Sequence, residues 1–301
     1  MARKEAKPKI THPEAIEKKK VMVKHLRSMY ETVNTFKRSI PNSYLEKLGI
    51  KLLPLDLKRP SGSINYYRPL PKSEYNSRSF GSFHPFANSD NKDEEDRSDS
   101  NDAVLAKLSN LSTIVGMLWR DDHSHTQWQR DYVIQCYREK PRLSLTEYAK
   151  LDGAEYTWIT TNRIQTASEM YPHCKCVVIQ DVEPDEELKR SEILPILVIM
   201  RWRMSLYYYQ QHEVFPVEVL SVYGGQARIL IGYFDGKHLC IQKSPIYDIG
   251  SEGLQNWILL MKWWFSDAAG DTTRLPSPQD IKDSRNLAVR PAPARQVRSG
   301  R

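Results

Sequence analysis

Two glycine-bearing turns constrain this chain more than any other feature. The alternating run 214–223 ends at Gly224-Gly225, the run 228–234 ends at Asp235-Gly236, and a third run, 238–243, follows at once. Two-residue loops of this kind join neighbouring antiparallel strands, because their residues accept the positive φ that suits the strand twist. The three runs therefore predict an antiparallel meander. Another strand is expected over 176–181. The apolar, β-branched run 193–204 is expected to add one more, for a sheet of four to five strands, although 200–209 also fits a helix.

Helical spacing dominates what comes before. Within residues 13–40, Val23, Leu26, Tyr30 and Val33 recur three or four apart, behind Pro13, which suits a first helical turn. Further helices are expected over 103–119, 126–139, 144–151 and 154–170. Asp102 can cap the first of these, and Ser144 with Glu147 matches a capping box at the third. A last amphipathic helix is expected over 252–265, with Leu254, Trp257, Ile258, Met261 and Trp264 on its apolar face. Helices gathered ahead of strands indicate an α+β fold: a helical N-terminal half, then an antiparallel meander sheet, then a C-terminal helix. The expected organisation is a basic helical segment (1–57), a disordered acidic linker or insert (58–102), an α+β domain (103–276) and a disordered basic tail (277–301). The linker's Pro, Ser, Asn and acidic residues cannot bury enough apolar surface to offset ordering entropy.

The net charge of +7 sits at the ends. Residues 1–40 hold eleven Lys/Arg against four Glu, 281–301 hold six against one Asp, and 90–102 hold seven acidic groups against two basic ones. A nucleic-acid-binding fold carries its positive stripe on the fold itself. Basic termini alone offer salt-sensitive attraction to nucleic acid or to an acidic partner. The four cysteines, Cys136, Cys174, Cys176 and Cys240, have irregular spacing and do not indicate a secreted disulfide framework. No secretory leader is visible. The longest apolar run, 193–200, falls well short of the roughly 20 residues that span a bilayer. No membrane association and a cytoplasmic or nuclear location are expected.

Few residues carry a chemical signature. Asp121-Asp122-His123-Ser124-His125 and His173-Cys174-Lys175-Cys176 hold metal-ligand types, but their spacing is not that of paired zinc ligands. They read as a solvated loop and a strand start, so no metal site is expected. Metal-dependent nuclease cores set an acidic residue on one strand and Glu-x-Lys on the next, and the carboxylates hold Mg. Glu155, Asp181, Glu183 and Glu218 are the candidates for that chemistry, and Mg is a cofactor under that reading alone. Glu218 is followed by Val219-Leu220 rather than x-Lys, so Arg201 or Arg203 would have to stand in. Neither a nucleophile elbow nor a phosphate-binding glycine loop is present. A small-molecule enzyme would need a pocket uniting His238, Cys240 or Asp235. The aromatic-basic residues Arg201, Trp202, Arg203, Tyr207 and Tyr208, with Trp263, are candidates for an interaction surface, where aromatics anchor a partner or stack bases. In a strand, Arg201 and Arg203 would share a solvated face opposite Trp202 and Met204.

The stretch PVEVLSVYGGQARILIGYFDGKHLCIQKSPIYDI (216–249), with LPILVIMRWRMS and WRDDHSHTQWQRDY, resembles segments of a family of uncharacterised proteins of filamentous fungi over residues about 103–272. The resemblance implies a fungal source and supplies no activity, cofactor or catalytic residue. The expected function is that of a non-enzymatic interaction or regulatory protein with a protein partner. The alternative is a nucleic-acid-binding or degenerate metal-dependent nuclease-like protein.

Overall fold

The computed structural model describes residues 13–59, 65–71, 128–130, 146–147, 155–166, 170–250, 253–277 and 279–281. The chain begins with α1 (Pro13–Val33), where Met22, Leu26, Met29 and Val33 recur at helical spacing and are all buried. Next come β1 (Ser39–Ile40), a single-turn α2 (Asn42–Leu45), β2 (Ile50–Pro54), β3 (Tyr67–Arg68), β4 (Trp128–Arg130), β5 (Thr146–Glu147), β6 (Trp158–Thr166) and β7 (Cys174–Gln180). β8 (Leu188–Lys189) runs directly into α3 (Arg190–Ser205). After a 3-10 turn at Tyr207–Tyr209, the chain makes β9 (Val217–Tyr223), β10 (Gln226–Phe234), β11 (Leu239–Lys243), β12 (Tyr247–Asp248), α4 (Leu254–Trp264) and β13 (Asp267–Ala268).

One large mixed sheet organises these elements, in the order β2-β11-β10-β9-β7-β6-β4, with β12 beside β10 and β5 beside β6. β10 runs antiparallel to both β9 and β11 across the two glycine turns. Beyond that trio the direction changes. β9 lies parallel to β7, and β2 lies parallel to β11. A parallel pair needs a crossover, and α3 supplies it between β7 and β9. Side chains alternate between the two faces. Cys174, Cys176, Val178, Val217, Val219 and Leu230 pack with α1 and α3. Val177, Ile179, Leu220, Val222, Ile229 and Ile231 pack with α4.

The α+β expectation of a helical N-terminal half followed by a self-contained antiparallel meander is overturned by this architecture. β4, β5 and β6 lie inside the stretches 126–139, 144–151 and 154–170, where helices were expected. In β6 the sequence WITTNRIQT is rich in β-branched and aromatic residues. These fit a pleated surface and are stiff in a helix, and here that preference outweighs a fortuitous three/four spacing. The expected strand 193–204 is instead the core of α3. Its residues are apolar on nearly every side, so their period carries no information, and its length is that of a helix rather than a strand. The expected helix 103–119 lies outside the described residues. Within 58–102, Tyr67 and Arg68 of β3 pair with β13, while 60–64 and 72–102 lie outside the described residues.

Where α3 crosses the sheet, Gly232 on β10 lets Ile196 lie close against the strand. A Cβ placed there would stand 2.4 Å from Ile196 Cγ2. Gly232→Val should therefore force the helix off the sheet and cost about 1–3 kcal/mol or more. A urea titration of the variant would measure this, and an unchanged midpoint would mean that α3 does not seat as described.

Candidate functional site

Two buried ion pairs lie one under each face of the sheet. Lys175 on β7 stands directly opposite Glu218 on β9, with Nζ 3.1 Å from Oε2, and both side chains are fully buried. The ammonium also donates to Trp264 O (2.8 Å), Ser266 O (2.9 Å) and Ser266 Oγ (2.7 Å), and lies 3.3 Å from Trp263 O. These are the carbonyls at the end of α4, where a helix leaves acceptors unmet and favours a cation. Burial lowers the Lys175 pKa and raises that of Glu218, with each partner opposing the effect on the other.

On the opposite face Arg228 grips Glu192 with two bonds, Nε to Oε1 at 2.7 Å and Nη2 to Oε2 at 2.5 Å. Glu192 also accepts the Lys189 amide at the start of α3 (2.8 Å), and Arg228 donates to Asp185 O and Glu187 O. The pair therefore fixes the entry to the crossover helix.

The nuclease candidates do not converge. Glu218 is sealed by Lys175. Asp181, just past the end of β7, lies six residues on from Lys175, about 20 Å away at strand rise. Its Oδ1 accepts the Thr157 amide at 2.8 Å. Glu183 is exposed beyond it, and Glu155 is exposed 3.6 Å from Lys37. No group of three His, Cys, Asp or Glu able to hold a metal occurs among the described residues.

Asp235, His238 and Cys240 do meet, but with the carboxylate in the middle. Asp235 Oδ2 lies 3.0 Å from Lys51 Nζ, 3.3 Å from His238 Nδ1 and 3.6 Å from Cys240 Sγ. A cysteine nucleophile needs the imidazole next to the sulfur. Here burial, followed by the Asp235 charge, pushes the Cys240 thiol up to about 12, so it stays protonated at neutral pH.

The aromatic-basic stretch divides between core and surface. Arg203 is buried, with its guanidinium 4.4 Å from the Tyr209 ring centre and Nη1 donating to Gln165 Oε1 at 2.8 Å. Trp263 lies in the core, where its indole donates to Leu57 O at 3.0 Å. Arg201, Trp202 and Tyr208 are half-buried, and Tyr207 is 57% exposed. The alternation expected of a strand does not apply, because α3 carries Arg203 inward.

Two histidines add a pH response. His173 Nε2 faces Ala269 O at 2.9 Å and must donate, which leaves Nδ1 bare and without a partner in the core. Burial lowers His173 to about 3 and His212 to about 4, and nearby Lys175, Arg203 and Lys19 add to the effect. Both are thus neutral when folded and titrate near 6.5 when unfolded. The unfolded chain then binds more protons, so stability is intact above about pH 6.5 and falls as pH drops toward 4. For His173, which is fully buried, we expect a slope approaching about 1.4 kcal/mol per pH unit in that window, and His212 adds to it in the same direction. Urea midpoints at pH 7, 6 and 5 check this, and His173→Phe should flatten the slope.

Among the described residues, one open surface feature is a groove of about 1070 Å³ at one edge of the sheet. Leu52, Leu53, Pro54 and Leu55 line it from β2 and its continuation, Pro245 and Tyr247 from the segment after β11, and Asp56, Lys58, Arg59, Lys243 and Glu186 supply its charges. Among the described residues no strand pairs with the outer side of β2. Leu239 donates to Gly49 O and Leu55 to Lys243 O, both at 2.9 Å. In a parallel ladder alternate residues address the neighbour, so this phase turns the Leu52 amide away from β11, on the open edge of the sheet. Sequence reasoning passed over this region because no local motif marks it; only Pro54, a residue typical of edge strands, was a signal.

Comparison of the chain with family models, curated proteins and solved structures finds no match. Among the described residues no helix is long and apolar enough to cross a membrane. Of the basic termini, residues 1–12 and 282–301 lie outside the described residues, while Lys18, Lys20, Lys24 and Arg27 are exposed on α1.

Proposed function

We propose that this chain is a non-enzymatic protein-binding module that holds an extended peptide segment of a partner in the groove beside β2. The observation that carries the reading is the groove itself: an open trough with an apolar floor, beside an edge strand whose Leu52 amide has no strand neighbour among the described residues. An added peptide strand can gain main-chain hydrogen bonds from such an edge and specificity from the side-chain floor. The polar groups elsewhere support the same reading. Glu218, Glu192, Lys175 and Arg228 are engaged in holding helices to the sheet, and the Cys240 thiol is protonated.

The test is a random peptide display library panned against the full chain, with each enriched peptide then titrated against the wild type and Leu52→Glu. The expected result is enriched peptides whose affinity falls at least tenfold, about 1.4 kcal/mol, on Leu52→Glu. No enrichment, or peptides indifferent to Leu52→Glu, would contradict it.

A further inference from the structure

Resting on the peptide-groove reading, we infer the partner's chemistry: a segment with apolar residues followed by aspartates or glutamates, its apolar part on Leu52, Pro54, Pro245 and Tyr247 and its carboxylates at Lys58 and Arg59. The argument is one of charge left over. Lys243 Nζ is 2.9 Å from Glu186 Oε2, so those two groups answer each other. Asp56 spends Oδ1 on backbone amides, accepting from the Lys58 N–H at 2.9 Å and the Arg59 N–H at 3.2 Å. That turn holds the chain so that both basic side chains are exposed at the end of β2. Neither side chain forms an ion pair among the described residues. With Asp56 counted against them, one positive charge is unbalanced at this end of the groove among the described residues. Placed at the rim of an apolar trough, such charge selects the sign of what enters and speeds its encounter. An acidic run satisfies it, and a basic one meets like charge.

The test uses two fluorescein-labelled synthetic peptides with the same apolar half, Leu-Pro-Leu-Val-Leu-Pro, followed by Asp-Glu-Glu-Asp in one and Lys-Arg-Arg-Lys in the other. Each is titrated by fluorescence polarisation against the full chain at low and at physiological salt. The acidic peptide should bind at least tenfold tighter, with the difference shrinking as salt rises. The double variant Lys58→Glu, Arg59→Glu should reverse the preference; both positions are exposed, and circular dichroism would confirm that the fold is kept. Equal affinity for the two peptides, no binding by either, or a preference untouched by the double variant would overturn the inference. The peptide-groove reading fails separately, if Leu52→Glu leaves the binding of displayed peptides unchanged.

Discussion

Glu218→Ala is expected to lower the folding stability of this protein by about 3–5 kcal/mol. The substitution leaves the Lys175 ammonium fully buried between β7, β9 and the end of α4 with only neutral acceptors around it. An unpaired charge in such a place is costly because desolvation is no longer offset by attraction. Replacing both partners, Lys175→Met with Glu218→Leu, removes the charge problem and should recover much of the loss. Recovery should fall short, because the Trp264 and Ser266 carbonyls would lose their donor, at roughly 1–3 kcal/mol for a buried acceptor left unmet. Urea denaturation of the two variants measures both quantities. A single variant within about 1 kcal/mol of wild type would mean the pair is neither buried nor formed.

Arg228→Ala should be of similar size, about 3–5 kcal/mol, for a different reason. It strands Glu192 at the start of α3 and removes the donor that holds Asp185 O and Glu187 O. The segment 183–189 should then become open to proteolytic nicking, whereas Glu218→Ala should not expose it. The two ion pairs share no partner and lie on opposite faces of the sheet. Their costs should therefore add to within about 0.5 kcal/mol. Proteolysis followed by mass spectrometry, alongside denaturation, checks the distinction.

The legible part of this fold was the part written locally. Gly224-Gly225 is the two-residue loop expected between β9 and β10, while Asp235-Gly236 opens a connection that runs over 235–238 before β11 begins, and each still joins two neighbouring antiparallel strands. Helix α1 showed itself through Val23, Leu26, Tyr30 and Val33, although its buried apolar residues are Met22, Leu26, Met29 and Val33 and the helix ends at Val33 rather than reaching residue 40. Long-range order was not legible. Nothing in CKCVVIQ says that β7 lies parallel to β9 rather than antiparallel to a neighbour in sequence. That depends on 193–204 being a crossover helix, and a run apolar on every side reads equally well as strand or helix. Lys175, Glu218 and Arg228, charges flanked by apolar residues of strands, were the available signs of internal ion pairs. Glu218 was noticed for the wrong chemistry, since pairing across strands cannot be read from spacing along one strand. The groove was hidden for the same reason: Leu52, Lys58, Pro245 and Tyr247 come together only because β2 lies beside β11.

The central claim, that a partner's extended segment binds beside β2, is tested most directly by amide hydrogen exchange on the full chain with and without a peptide selected from the display library. The account predicts new protection at Leu52 and across 55–59 and 243–247, with α1 and the Tyr207 surface unchanged. Protection at α1 or around Tyr207 with none along β2 would contradict it, and would move the binding surface to the helical face of the sheet.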